Sequence, residues 1–416
     1  FLAGQISATA TSAVGVAAYV TWLVSMLVML IGIGASALVS RAQGSGNHAE
    51  ANHFANQAIT LAAMFGCVIA VLNYLAAPWF ASAFNMTGDA YRITVTYLRI
   101  ESLGHVFVSI TIVASAAFRG IGRMKIPMLV FAVMNVVNAF FSVVLMYGLG
   151  PAPKLGVNGI VTGTVIAQFV GTCLIVTILI RGRSGLQLRL SEMFLNLQRA
   201  ARIIRIGLPA AADGAVMWTG QFIFLLIIAR LAPNPLGEAY LAAHIIAVRF
   251  EAFTYLPAVA WGAAVATMIG QSLGAGDIRR AIRAGNEGVL QCGTLAALLG
   301  LFYFFAAPQI YRLMSTDPLV QQVGTRPFRF LALLQPLLAT SIVYIAGLRG
   351  AGDTRYPLLI SLMGAFCVRV PLGYFFGIVL NGGLIGAWVG MFGDMIWRAV
   401  GAVIRYHRGR WVHTKV

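Results

Sequence analysis

The chain has 416 residues, 59% of them hydrophobic and only 10% charged, with a mean hydropathy of +0.85. That balance excludes a water-soluble globular domain and points to a protein embedded in a membrane. The formal net charge of +17 would suggest a nucleic-acid partner if it were spread evenly, but the basic residues cluster in short connections between apolar runs, so no nucleic acid is expected.

Apolar stretches long enough to cross a hydrocarbon layer of roughly 30 Å as helices fall at 12–40, 54–80, 96–118, 127–148, 157–181, 207–231, 239–269, 286–310, 327–347, 357–380 and 383–404. Uninterrupted runs such as Phe222 to Ala229 exclude the alternating pattern of a transmembrane barrel. The expected fold class is therefore an all-α integral membrane protein.

One motif set is written twice, about 230 residues apart. IGIGASALVSRAQGSGN (31–47) is matched by WGAAVATMIGQSLGAGD (261–277), which aligns Gly32 with Gly262. Ala76-Ala77-Pro78 recurs as Ala306-Ala307-Pro308, and Phe118-Arg119-Gly120-Ile121-Gly122 as Leu348-Arg349-Gly350-Ala351-Gly352. Pro127 recurs as Pro357, while Gly156, Gly159 and Gly163 recur as Gly383, Gly386 and Gly390. Ordered matches at a nearly constant offset indicate a duplicated membrane unit. The span at 207–231 has no partner within the chain, which begins with Phe1, so a preceding helix is expected to be missing and the intact protein to have two pseudo-symmetric six-helix lobes.

The expected lobes are 1–181, lacking its first helix, and 207–404, joined by a linker at 182–206 and followed by a basic tail at 405–416. The linker (LQLRLSEMFLNLQRAARIIRI) mixes apolar residues with arginine at helical spacing, as an amphipathic segment on a membrane surface would. An even number of spans per lobe makes the lobes parallel, with a central cleft as the default place for substrate. Gly44-Ser45-Gly46 and Gly274-Ala275-Gly276 are read as sharp turns ending long helices. A phosphate-cradling loop would need a following Lys-Ser/Thr or a preceding strand.

Arg181, Arg183, Arg189, Arg199, Arg202 and Arg205 fill the linker region; Arg119, Arg123 and Lys125 share another loop, Arg279, Arg280 and Arg283 a third, and Arg349 and Arg355 a fourth. With Arg405, Arg408, Arg410 and Lys415, all fall on one side by helix count, so that side is expected to be cytoplasmic in a multi-pass inner (plasma) membrane protein. Cys67, Cys173, Cys292 and Cys367 lie singly within spans and read as buried apolar residues rather than a disulfide or metal framework.

The segments AAHIIAVRFEAFTYLPAVAWGAAVATMIGQSLGAGD (242–277), LRGAGDTRYP (348–357) and KLGVNGIVTGT (154–164) resemble those of the multidrug and toxic compound extrusion family of exporters, and the likeness runs over nearly the whole chain. The resemblance implies two lobes in a V shape and export of cationic or amphipathic compounds against inward flow of H⁺ or Na⁺, with no other cofactor. Three departures matter. The first helix, which in many relatives carries an acid, is absent. LLQPLLATSIVYIAG (333–347) has no carboxylate where one branch has it, and Asn135 and Asn138 are followed by Ser142 where relatives often carry Asp.

An ionisable side chain within a span is costly unless paired or hydrated, so each is a candidate for function. Glu251 leads as a coupling-ion residue, sharing a helical face with His244 and Tyr255 and followed by Pro257; the competing account is a structural ion pair with Arg369. Asp213, four residues after Pro209, is a protonation or cation site or a first-turn acid favoured by the helix dipole. Asp394 and Arg398, spaced i,i+4, read as a neutralising pair, with coupling as the alternative role for Asp394. Glu101 and His105 share that spacing and read as a solvated helix end or a cleft lining. Candidate cavity residues are Asn135, Asn138 and Gln168 in the first lobe, and Met217, Trp218, Gln221, His244, Tyr255 and Trp261 in the second. Arg119 and Arg349 are expected to anchor loops to helix ends or lipid phosphates.

The expected function is a secondary active antiporter working by alternating access as a monomer in contact with membrane lipids, and not an enzyme. The alternative is a flippase for a lipid-linked precursor, for which Arg249 and Arg369 could supply positive charge.

Overall fold

The computed structural model describes residues 8–84 and 86–414, all helix and connection, with no strand among the described residues. The helix expected ahead of Phe1 and the tail residue Lys415 lie outside that range. The helices are α1 (Ala8–Gly44), α2 (His48–Ala83), α3 (Gly88–Gly120), α4 (Lys125–Tyr147), α5 (Val157–Arg181), α6 (Leu197–Ile228), α7 (Leu236–Gly274), α8 (Ile278–Met314), α9 (Pro318–Leu333), α10 (Gln335–Gly350), α11 (Arg355–Met363), α12 (Val370–Tyr374) and α13 (Gly383–His407). Among the described residues ten spans meet the length and hydropathy needed to cross a membrane, or eleven when α9 and α10 count as one bent span. Backbone polar groups are thus satisfied within helices, as hydrocarbon requires.

The chain divides into two compact units, Phe1–Gly207 and Leu208–Val416. The boundary falls inside α6, just before Pro209. The linker read at 182–206 is therefore two different things: a loop with one 3-10 turn at Leu190–Glu192, then the first turns of α6 from Leu197. Those turns pack on α1 within the first unit, where a Cβ on Gly34 would strike the carbonyl of Ile203 and one on Gly207 that of Leu30. The loop is held by a polar stripe at the start of α2. Asn52 Oδ1 accepts from the Gln187 amide at 2.7 Å, Asn56 Nδ2 donates to the Gln187 carbonyl at 2.9 Å, and Gln57 Nε2 donates to the carbonyls of Glu192 and Phe194 at 2.7 Å each.

The sequence repeat is repeated in hydrogen bonds. α1 closes with Asn47 N–H on Ala42 O (3.1 Å) and Gly46 N–H on Gln43 O (3.2 Å); α7 closes with Asp277 on Ser272 (2.9 Å) and Gly276 on Leu273 (3.2 Å). Both glycines sit at positive φ, 77° and 74°, the left-handed cap that glycine enters without a Cβ penalty. Asn47 and Asp277 then cap the following helices by accepting from Glu50 and Arg280 N–H groups. α3 and α10 end in the same two-bond pattern at Gly122 and Gly352.

Close crossings recur as well. Gly159 and Gly163 put the α5 backbone against Leu145 and Ser142 of α4, and Gly386 and Gly390 put α13 against Phe376 and Arg369. Two breaks shape the second unit. α9 and α10 meet at 50° around Leu334, where Pro336 lacks an N–H for the Ala332 carbonyl; the buried Gln335 amide turns back onto Leu331 O at 3.2 Å. The span holding α11 and α12 contains two π-helical turns, Gly364–Arg369 and Phe375–Val379, either side of Pro371.

One expectation is corrected by the packing. Only Cys292 is buried; Cys67, Cys173 and Cys367 are exposed on outward helix faces, where a small apolar thiol is compatible with lipid. The basic tail is anchored by one aromatic: Trp411 is fully buried, stacks on Tyr406 at 4.8 Å and donates its indole N–H to the Tyr406 carbonyl at 2.7 Å.

A charged cavity in the second unit

A cavity of about 410 Å³ opens among α6, α7, α10, α11 and α13, wholly within the second unit. α6 contributes Asp213, Met217, Trp218 and Gln221, successive positions on one face of a helix. α7 contributes Glu251 and Tyr255, one turn apart; the first π-helical turn ends on Arg369; α13 supplies Asp394 and Arg398. Arg349 enters from the last turn of α10.

The charges are arranged in three groups. Asp213 is 2% exposed and ion-paired with Arg349 through Oδ2 and Nη2. Asp394 is fully buried and shared by two guanidiniums: Arg369 Nη2 reaches Oδ2 at 2.5 Å, and Arg398 Nε reaches Oδ1 at 2.6 Å. Glu251 makes no ion pair within 4 Å among the described residues, although Arg369 is near enough to act on it electrostatically. Arg369 is held further by donating Nη1–H to Gln221 Oε1 at 2.7 Å, and Arg398 touches the Met217 sulfur.

The structure thus gathers Asp213, Met217, Trp218, Gln221, Glu251, Tyr255, Arg369, Asp394 and Arg398 around one space. His244 is outside the lining. It is 1% exposed, flanked by the rings of Phe224 and Trp388 at 5.8 Å each, and lies 3.4 Å from Gln221, which does line the cavity. Trp261 is also outside it, with its indole N–H on Gln291 Oε1 at 3.3 Å, and Arg249 is exposed on the far side of α7. The structural pair considered for Glu251 and Arg369 does not form, because Asp394 and Gln221 hold the guanidinium.

Arg349 is the residue whose place the sequence hid. Its position in an Arg-Gly loop suggested an anchor for the loop, but at the end of α10 its long side chain turns inward to Asp213. An arginine 136 positions from its acid leaves no local spacing to find.

In the first unit, Asn138 donates to Thr164 Oγ1 at 2.9 Å, Gln168 is 8% exposed against Gly104, and Asn135 is exposed. Glu101 and His105 do not form a solvated helix end. They are 5% and 1% exposed, with His105 Nε2 2.9 Å from Asn73 Nδ2 of α2. The facing asparagine and a long α2 bury what helix position alone suggested was wet.

Two repeated units of long apolar helices, the second of them holding a charged cavity, have the make-up of a polytopic membrane transporter. A family model described as MatE matches residues 1–144 and 209–375. The chain is 28% identical over 410 residues to a probable multidrug resistance protein NorM of Thermotoga maritima, covering 98% of this chain and 87% of that protein. It is 26% identical over 400 residues to the multidrug resistance protein PmpM of Pseudomonas aeruginosa, covering 92% and 81%. A crystal structure of MATE in the bent conformation superposes with a TM-score of 0.90 at 20% identity, covering 98% of this chain and 90% of that one. The chain belongs to the MatE family of multidrug efflux transporters, whose multi-span members reside in the inner membrane and act on small molecules.

Proposed function

We propose that the protein is a secondary active antiporter that exports organic compounds in exchange for H⁺ or Na⁺ by alternating access, with the basic loops on the cytoplasmic side. The observation that carries this reading is Glu251: a carboxylate in a membrane-embedded cavity, without an ion pair within 4 Å among the described residues, in a lining it shares with the aromatic Tyr255 and Trp218. Such a group can bind a proton or a small cation in one state and a substrate's positive charge in another. Differential binding of the ion to the two states is what couples the fluxes.

Asp213 and Asp394 differ because each is already matched by arginine, so we assign Asp394 to holding the cavity together and Asp213 to holding α6 against α10. A lipid-linked pyrophosphate would call for an excess of positive charge, and the cavity has three carboxylates beside its three guanidiniums. The protein is proposed to act as a monomer, its exposed apolar faces, such as Phe302 and Phe305 of α8, in contact with lipid.

The test is ethidium efflux from pump-deficient cells, with and without a protonophore and at low and high Na⁺. We expect Glu251→Gln to abolish efflux and protonophore or Na⁺ depletion to do the same to the wild type. Efflux by Glu251→Gln at the wild-type rate would remove Glu251 from coupling.

A further inference from the structure

Gln322, Arg326, Arg329 and Leu333 follow one another at helical spacing along α9 and so share one face of it. Along the chain that face passes from polar to charged to apolar, ending on the exposed Leu333. It borders a groove of about 740 Å³ shared with the first turns of α7 and α13. All three helices start at this end of the second unit, opposite the loops that carry Arg279 and Arg349. Leu236 and Tyr240 form the α7 wall, and Leu384 and Ile385 the α13 wall. Gly383, at a φ of 56°, has no Cβ to strike the Tyr240 hydroxyl, so the two helix starts lie close.

The charge of the groove is one-sided. No carboxylate is in its lining. The acids at that end are engaged elsewhere: Asp317 Oδ1 accepts from the Leu319 N–H at 2.8 Å, and Glu238 Oε1 accepts from Asn234 Nδ2 at 2.6 Å. Arg329 is fixed in place, its guanidinium over the Phe304 ring at 5.6 Å and its Nε donating to the Phe304 carbonyl at 3.2 Å. Arg326 is exposed, and neither arginine has an ion pair among the described residues. Two guanidiniums one turn apart on a helix repel unless an anion lies between them. The first unit supplies a comparison. At the repeat offset of 230 residues, Arg99 and Tyr74 stand for Arg329 and Phe304, and Arg99 lies over the Tyr74 ring at 5.0 Å. The stacked arginine thus belongs to the duplicated scaffold. Thr96 stands where Arg326 is, so the second charge is peculiar to the second unit.

We infer that this groove holds the phosphate headgroup of an anionic phospholipid at Arg326 and Arg329, with an acyl chain following Ile385 and Leu333 into the bilayer. Guanidinium forks match phosphate oxygens in geometry and charge. The apolar walls suit a ligand that is anionic at one end and hydrocarbon at the other, which a free anion is not. The inference does not depend on what the protein exports. The orientation proposed above decides only that the lipid belongs to the outer leaflet.

The test uses the purified full chain in detergent, with dioleoylphosphatidylglycerol, dioleoylphosphatidylcholine and inorganic phosphate as probes. The first bound lipid is measured by native mass spectrometry, and melting temperature is a second readout. Phosphatidylglycerol is expected to bind more tightly than phosphatidylcholine. Arg326→Gln should lower that affinity ratio about fivefold, the share of one arginine at a lipid surface. Arg326→Lys should keep most of it, and Arg99→Gln should leave it unchanged. Because Arg326 is exposed and unpaired, its replacement should not disturb folding; Arg329→Gln gives a second reading of the same ratio. A wild type without preference overturns the inference. So does a preference that Arg326→Gln leaves intact, which would belong to the basic loops at the other end. Inorganic phosphate that raises melting as much as phosphatidylglycerol, and fails to do so in Arg326→Gln, would make the groove a free-anion site and overturn the lipid assignment. Lipid preference without ethidium efflux would remove the exporter and keep the groove; efflux without lipid preference would do the reverse.

Discussion

Asp394 and Glu251 are both acids in one cavity, and their surroundings predict opposite consequences of neutralising them. Asp394→Asn leaves two buried guanidiniums facing each other without their shared counter-charge, a loss of about 3–5 kcal/mol for breaking a buried ionic group. Its melting temperature in detergent should fall sharply. Glu251→Gln removes a carboxylate that balances no ion-paired arginine, so melting should be unchanged or raised even though efflux is lost. An equal fall in both variants would make Glu251 a structural residue. The pairing of Asp394 with Arg398 was legible because i,i+4 spacing is a local property of one helix. The convergence of Arg369 on Asp394 and of Arg349 on Asp213 was not, since each arginine comes from a different span and depends on which face that span turns inward. Glu101 and His105 show the same limit from the other side: they are buried by neighbouring helices, with Asn73 of α2 on His105 and Thr21 of α1 on Glu101.

At the level of elements, the spans were legible from hydropathy, and their ends from glycine and proline, because the bilayer permits little besides helices. Amphipathic segments misled. The residues from Leu197 to Ile206 have arginine at helical spacing and read as a surface helix, yet they are the opening turns of α6. The tail was read only as basic, and nothing in its charge pointed to the burial of Trp411. Trp411→Ala should cost about 3–5 kcal/mol, as for a large buried aromatic, and should expose the last residues to limited proteolysis; an unchanged digestion pattern would contradict the packing described. Gly390 tests the α13 crossing. A Cβ there would press on the Arg369 carbonyl and the Gly373 backbone, so Gly390→Leu should displace Arg369 and lower both folded yield and ethidium efflux.

For the molecule as a whole, duplication has kept the backbone devices and let the charges diverge. Gly46 and Gly276 cap equivalent helices at nearly the same φ, with no neighbouring atom within 4 Å of a Cβ. Gly46→Val and Gly276→Val should therefore each cost about 1–2 kcal/mol, the penalty for a side chain in the left-handed region; a large difference between them in thermal melting would show that one turn has acquired a second role. The matched charges of the cavity reach further, to the electrical work of transport. One H⁺ or Na⁺ entering as one singly charged cation leaves moves no net charge, and the membrane voltage contributes nothing. One such ion entering as an uncharged compound leaves carries a full positive charge inward, worth about 2.3 kcal/mol for every 100 mV. A pump with this cavity would draw on the cell's voltage for uncharged cargo and on the chemical gradient alone for its cations.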